Sequence, residues 1–298
     1  MTHRRIALLA SADAMDLDTD GPLLFPALEQ AQVDYDVVAW DDPKVKWQSY
    51  DAVVLRATWD YFRRVEDFLD VLELIDKVST LHNPLDVVRW NIDKRYLNDL
   101  SSAGLPVVPS AYVAHLSPPT ELGLALGQVL GWGSDEVVVK PTVSAGSNDT
   151  FRLDAADGSA VTRAVQSVID SDRVAMLQPY LHLVDSYGER GCVYVNGSFD
   201  HAFAKKALLT PGRQDVDGLF IPERVEAVEL TDAEYDVAHR TNAWLTLTFG
   251  PLLYARIDML ASPAGPMIVE VELIEPSLFM ASDPPCAKRF AAAVAGLH

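Results

Sequence analysis

Two segments with the composition of β-strands, at 253–260 and 267–277, place the strongest constraint on the fold of this chain. The sequence between them, Ser-Pro-Ala-Gly-Pro at 262–266, is typical of a turn. We therefore predict an antiparallel hairpin. If the hairpin closes symmetrically about Ala264, Asp258 lies directly opposite Glu270.

This register would gather charged side chains on one face of the hairpin. Because side chains alternate along a strand, the shared face would carry Arg256, Asp258, Glu270 and Glu272, with Glu275 on the other face. Facing like charges destabilise a strand pair, so either water solvates the acidic face or a cation binds there. Taken alone, the solvated face is the more frequent outcome.

Composition excludes several classes of partner. The 298 residues are 49% hydrophobic, enough for a large core. The net charge of -19 repels nucleic acids and anionic membranes, so we predict neither as a partner, and any anionic ligand needs local cations. No segment is long enough to span a membrane, and Cys192 and Cys286 have no metal-ligand spacing. The cytoplasm is the simplest compartment.

Residues 1–88 alternate strand and helix signals, which is typical of a parallel sheet. Ligands bind beyond the carboxyl ends of such strands, so loops 11–21 and 56–64 are candidate site loops. The first is acidic, includes Asp16 and could hold an ammonium group; the second could hold a carboxylate through Arg56, Thr58 and Trp59. Ordinary polar loops are an equal alternative. The predicted elements are strands 5–10, 36–40 and 52–55 and helices 23–32 and 65–77.

The middle of the chain shows a mixed pattern, with a plausible boundary at 104–109. Its predicted elements are helices 86–100, 122–130 and 160–169, strands 136–140, 150–153 and 174–178, and a hairpin over 191–205 that delivers Lys205.

Two segments of this region could bind a nucleotide. Lys140 ends an apolar strand, and the small residues Ser144, Gly146 and Ser147 after it would let backbone N–H groups contact phosphate. Gln178, Pro179, Tyr180 and Leu181 break a strand, which would free backbone groups for an adenine edge, and Asp185 or Glu189 follows within reach of a ribose. Each feature alone is better explained by an ordinary turn or kink.

The order of these features resembles the ATP-grasp superfamily over residues 93–277. The resemblance rests on the segments at 91–100, 139–148, 177–181, 203–205, 255–258 and 269–272. The segments at 56–61, 89–97 and 271–277 are most similar to a subgroup of ligases that form D-cycloserine.

The resemblance implies roles for individual residues. ATP phosphates would contact Lys94, Lys140 and Lys205; adenine would contact 178–181; the ribose would contact Asp185 or Glu189; Mg²⁺ would bind Asp258, Glu270 and Glu272. Arg256 would stabilise charge on an activated acyl group. An amino-acid substrate would contact Asp16, Arg56, Thr58, Trp59 and Ser277.

The implied fold is α/β, an ATP-grasp fold with an N-terminal Rossmann-like domain. Its expected divisions are a substrate domain at 1–88, a lid subdomain at 89–178 and a catalytic subdomain at 179–298. The implied reaction activates a carboxylate with ATP for attack by nitrogen, closing O-ureido-D-serine to D-cycloserine. A peptide ligase of the glutathione synthetase or D-alanine–D-alanine kind and a non-catalytic nucleotide-binding module are the alternatives. The sequence allows a homo-oligomer.

Overall fold

The computed structural model describes residues 4–115, 117, 119–146, 148–207, 209 and 224–297. These residues form three sheets of four, four and five strands. Within the same residues, no helix is both long and apolar enough to cross a membrane.

The first sheet is parallel, as predicted. Its strand order is β2-β1-β3-β4. The strands are β1 (Arg5–Ala10), β2 (Asp34–Ala39), β3 (Ala52–Ala57) and β4 (Thr80–His82), with helices α1 (Gly21–Gln30) and α2 (Val65–Asp76). Strands β1 and β3 are almost entirely buried, which explains their continuous apolar sequence. Strand β4 is only three residues long and was not predicted.

The predicted single helix over 86–100 is wrong. The chain forms α3 (Leu85–Asn91), a 3₁₀ turn at Lys94–Tyr96 and α4 (Leu97–Ser102). The Asp93 carboxylate accepts the backbone N–H of Arg95, and the Lys94 backbone N–H donates to Thr142. These two bonds replace helical bonds and place Lys94 beside the second sheet.

The second sheet is antiparallel, in the order β5-β8-β6-β7. Its elements are β5 (Ala111–Val113), β6 (Glu136–Pro141), β7 (Phe151–Asp154) and β8 (Ala175–Pro179), with helices α5 (Pro119–Gly131) and α6 (Gly158–Ile169). All but β5 lie within three residues of their predicted bounds.

The third sheet has the order β11-β10-β9-β12-β13. Its strands are β9 (Glu189–Val195), β10 (Ser198–Lys205), β11 (Val225–Ala227), β12 (Tyr254–Ser262) and β13 (Gly265–Glu272); helices α7 (Val184–Tyr187), α8 (Asp232–Phe249) and α9 (Cys286–Ala295) accompany it. Helices α8 and α9 were not predicted, although a capping box between Thr231 and Glu234 marks the start of α8.

The predicted pairing of Asp258 with Glu270 is confirmed, but the hairpin reaches it by another route. Ser262 pairs with Gly265, so the turn has two residues rather than three. The register then shifts by one residue at Val269, a β-bulge that restores the predicted pairing.

The free edge of β13 is held by side chains from the linking segment. The Asn91 side chain bonds to the Val271 carbonyl (2.8 Å) and the Leu273 N–H (2.9 Å). The Tyr96 hydroxyl both accepts from and donates to the Val271 backbone, at 2.8 and 2.9 Å. This edge of the third sheet is therefore fixed against α3 and the 3₁₀ turn that follows it.

Candidate active site

A cavity of about 240 Å³ opens between elements of all three sheets. Its lining includes most of the predicted site residues: Trp59, Lys94, Lys140, Ser144, Gly146, Gln178, Pro179, Tyr180, Leu181, Glu189, Lys205, Arg256, Glu270, Glu272 and Ser277. Five were expected there and do not line it: Asp16, Arg56, Thr58, Asp185 and Asp258. Of these, Asp258 is buried and contacts the lining residues Arg256 and Lys205. Ser147 lies outside the described residues.

Arg256 connects the charged groups on the hairpin face. Arg256 donates to Asp258 (Nη2 to Oδ2, 2.8 Å), to Glu272 and to the Ser277 carbonyl (2.9 Å). Burial of Asp258 opposes its ionisation, but the charges of Arg256 and Lys205 prevail and lower its pKa to about 2. Asp258 is therefore a carboxylate at neutral pH.

Three lysines converge on this face from different elements. Lys205, at the end of β10, contacts Asp258 at 3.1 Å and Glu189 at 2.5 Å. Lys94 contacts Glu270 at 3.1 Å and the Ser144 carbonyl at 2.9 Å. Lys140, at the end of β6, has no carboxylate oxygen within 4.0 Å among the described residues. Burial lowers its pKa, although Glu270 opposes that shift.

Two carboxylates of this face have pKa values that are shifted in opposite directions. Burial raises the pKa of Glu270, but Lys94 and Lys140 outweigh it and the net shift is downward. Burial raises the pKa of Glu272 to about 8 in spite of Arg256, and the charges of Asp258 and Glu270 add to the rise. The face can therefore accept further positive charge.

These carboxylates fit a divalent cation in donor type. Carboxylate oxygen is the ligand that Mg²⁺ prefers. The oxygens of Asp258, Glu270 and Glu272 do not all lie within 4.8 Å of one another, because Arg256, Lys94 and Lys205 bind them separately. A metal would thus take its place among these carboxylates together with other ligands.

Among the residues that the structure describes, two other groups of potential metal ligands lie apart from this cavity. In the first, Asp200 is already bonded to Arg289 at 2.6 and 2.7 Å and to His201 at 2.7 Å. The second, formed by Asp135, Glu136 and His182, is largely exposed. Neither group was singled out from the sequence.

The strand break after Gln178 lies against the cavity. Gln178 is buried, and its side-chain amide donates to the Ser110 hydroxyl at 3.1 Å. The Tyr180 ring packs beneath the Arg152 guanidinium, 3.6 Å from the ring centre, and its hydroxyl donates to Asp185 at 2.5 Å. Asp185 thus fixes Tyr180 and does not face the cavity. Of the two candidate ribose ligands, Glu189 is the one on the cavity wall.

The expectation that Arg56 binds a substrate carboxylate is not supported. Its guanidinium is buried and contacts Asp20 at 3.0 Å, Asp18 at 3.7 Å and the Pro276 carbonyl at 3.4 Å. Asp20 in turn accepts the backbone N–H groups of Leu278 and Met280. This arginine joins the first sheet to the 276–280 segment.

Two further substrate contacts are corrected. Asp16 is exposed, and none of the described residues between 11 and 21 lines the cavity. Thr58 is completely buried below the cavity wall. Loop 11–21 packs against Arg56 through Asp20 and stays outside the cavity, whereas loop 56–64 reaches the cavity through Trp59 and Tyr61 but not through Thr58.

Glu275 was placed on the face away from the site, and this is also wrong. Strand β13 ends at Glu272, so side-chain alternation no longer applies three residues later. Glu275 lines the cavity, as does Tyr61, whose hydroxyl group acts to lower the pKa of the Glu275 carboxyl group. Burial, then the charge of Glu272, raises its pKa well above the ordinary range.

Comparisons with known proteins agree with this geometry. The model for the N-terminal domain of D-cycloserine synthetase DcsG matches residues 6–83. The chain is 32% identical to the cycloserine biosynthesis protein DcsG of Streptomyces lavendulae, over 97% of each chain. A crystal structure of D-cycloserine synthetase DcsG superposes with a TM-score of 0.89 at 32% identity, over 98% of both chains. D-alanine–D-alanine ligase from Bacillus anthracis, complexed with ATP, superposes with a TM-score of 0.66 at 17% identity, over 99% of this chain and 93% of that one.

The fold and the comparisons define an enzyme of the ATP-grasp ligase class, which confirms the predicted fold and superfamily. Within that class, the chain belongs to the family of the cycloserine biosynthesis protein DcsG.

Proposed function

We propose that this enzyme uses ATP to activate the carboxylate of O-ureido-D-serine and closes it to D-cycloserine, releasing ADP and phosphate. The convergence of three lysines and Arg256 on the acidic hairpin face, in a chain that matches DcsG over 97% of both lengths, is the observation that carries the proposal. A phosphoryl transfer needs such an arrangement because its catalysis consists mainly of positioning and charge stabilisation.

In this proposal, cations bind the phosphates from several sides. Lys94, Lys140 and the backbone around Ser144 and Gly146 hold the phosphate chain, and Ser147 remains a predicted contact. Lys205 holds the terminal phosphate. Lys140 is best suited to an incoming anion, because this half-buried lysine has no carboxylate partner among the described residues.

The remaining roles follow the lining of the cavity. Adenine contacts Gln178, Pro179, Tyr180 and Leu181, and Glu189 takes the ribose hydroxyls. Asp258, Glu270 and Glu272 hold Mg²⁺, which when bound neutralises phosphate charge during transfer. Trp59 and Ser277 contact the substrate.

The chemistry has two steps. A substrate carboxylate oxygen attacks the γ-phosphorus and ADP leaves, giving an acyl phosphate. The ureido nitrogen bonded to oxygen then attacks the acyl carbon and loses its proton as phosphate leaves. Water hydrolyses the N-carbamoyl group, which departs as carbon dioxide and ammonia and leaves the N–H of the product ring. Arg256 stabilises the negative charge that develops on the acyl oxygen, since its guanidinium lines the cavity.

Incubation of the protein with ATP, Mg²⁺ and O-ureido-D-serine tests the proposal. We expect ADP release that requires the substrate and no added amine, and a hydroxamate when hydroxylamine is present. A requirement for a second amino acid would instead indicate a peptide ligase. Absence of ADP release and of hydroxamate with every amino acid in a panel would contradict ligase activity. The domain divisions at 88 and 178, a cytoplasmic location and a homo-oligomeric state remain predictions.

A further inference from the structure

Glu275 differs from the other carboxylates of the cavity in its partners. Glu189, Glu270 and Glu272 each contact a lysine or arginine. Among the described residues, no lysine, arginine or histidine nitrogen lies within 4.0 Å of the Glu275 carboxyl group. A carboxyl group in such a position is costly to ionise unless a ligand supplies positive charge.

The surroundings hold Glu275 in one orientation. The Trp59 indole donates to its backbone carbonyl at 3.0 Å, and the Tyr61 hydroxyl is close enough to its carboxyl group to act on the pKa of that group. Tyr61 is itself stacked on buried Phe68, with 5.2 Å between ring centres. A charged ligand would therefore meet a carboxyl group that is already positioned, which reduces the entropy lost on binding.

The part of the cavity around Glu275, called here the Glu275 corner, has a composition that favours an ammonium group. The cavity wall includes three aromatic residues, Trp59, Tyr61 and Phe279. Aromatic faces attract organic cations.

The acids predicted to bind an ammonium group are not available for that purpose. Asp18 and Asp20 contact Arg56, and Asp16 is exposed outside the cavity. The Glu275 corner also adjoins the acyl-activating residues, because Arg256 donates to the Ser277 carbonyl two residues further on. An α-amino acid needs this adjacency, since one carbon separates its ammonium and carboxylate groups.

We propose that Glu275, oriented by Tyr61, binds the α-ammonium group of the substrate and so selects α-amino acids over simple carboxylic acids. The proposal rests on the function proposed above and specifies the part of the substrate that this corner recognises. Glu275 is a specificity-determining residue, and Tyr61 is a positioning residue.

The test compares O-ureido-D-serine with the same compound lacking its α-amino group. Wild-type turnover of O-ureido-D-serine is measured first, and its absence would overturn both the proposed function and this inference. Dissociation constants for both compounds are then measured by calorimetry with Mg²⁺ and a non-hydrolysable ATP analogue. We expect the Glu275→Gln variant to bind O-ureido-D-serine about 10- to 100-fold more weakly, as for a lost charge-assisted bond, and the deamino compound nearly as well as before.

Two further variants separate recognition from structural damage. Tyr61→Phe should shift the ratio of the two dissociation constants in the same direction by a smaller factor. Glu29→Gln changes the same residue type on an exposed part of α1 and should leave the ratio unchanged. A general structural defect would weaken the binding of both compounds by the same factor. If Glu275→Gln kept the wild-type ratio in an enzyme that turns over the substrate, the inference would be overturned while the proposed function stood.

Discussion

Two regions of the molecule join a buried arginine to a pair of carboxylates, and they do so for different purposes. Arg56 contacts Asp18 and Asp20. Arg256 contacts Asp258 and Glu272. In the first region, Asp20 also accepts two backbone N–H groups, so its acceptor capacity is used within the protein. In the second, Arg256 and Glu272 line a cavity together with three lysines, and Asp258 is buried in contact with Arg256.

The comparison shows that residue type and burial do not distinguish a structural ion pair from a site. Two features distinguish them: whether backbone N–H groups use the acceptor capacity of the carboxylate, and whether the charged groups reach a cavity. A buried ion pair whose carboxylate also accepts backbone N–H groups connects elements, and removing one partner leaves an uncompensated charge. A pair that opens onto a cavity can exchange its partners for a ligand. Each of the following substitutions probes one side of this difference.

The largest effect is expected for Glu270→Gln on the cavity side. Removing this charge should lower Mg²⁺-dependent turnover by at least about 100-fold, because a group that places charge at the transferring phosphate is lost. Steady-state ADP release measures it, and the thermal midpoint should stay near that of the wild type. Near-normal activity would show that Glu270 does not hold the metal.

A large effect on stability is expected for Arg56→Met in the sealed region. The substitution leaves Asp18 and Asp20 without their cation and should lower the free energy of unfolding by about 3–5 kcal/mol. Urea unfolding measures the change. Arg64→Met is the matched control, since this arginine is 43% exposed beside Asp41 and should cost about 1 kcal/mol or less. Equal losses in the two variants would argue against a buried clamp.

The smallest effect is expected for Asp16→Asn. This carboxylate is exposed and remote from the cavity lining, so the KM for O-ureido-D-serine should change by less than about two-fold. Initial-rate kinetics at saturating ATP would detect a larger change. A tenfold rise in KM would restore loop 11–21 as a substrate contact.

Local patterns predicted the elements that depend on local sequence. The strand at Arg5–Ala10 was predicted with its observed bounds because a buried parallel strand is continuously apolar. The helix predicted over 86–100 failed because a tertiary bond from Lys94 to Thr142 competes with helical bonding. Helix α8 was missed although its capping box was readable at Thr231.

The order of the motifs in the sequence predicted many of the site residues. It could not predict the role of a residue that depends on a contact with a residue distant in the sequence. Lys94, Lys140 and Lys205 stand in superfamily order, and they line one cavity. The ion pair between Asp20 and Arg56 could not be predicted from local sequence, because the two residues are 36 positions apart. Glu275 was misplaced because strand alternation was extended beyond Glu272, where β13 ends.

The side chains that hold the edge of β13 also set an order of assembly. Among the described strands, β13 is the last to emerge during synthesis, after Asn91 and Tyr96 have long left the ribosome. Two of its metal-binding candidates, Glu270 and Glu272, flank Val271, whose backbone bonds to Tyr96. We therefore expect nascent chains to complete the acidic face only when this final strand docks, so a chain truncated before β13 would lack the face that distinguishes an active ligase.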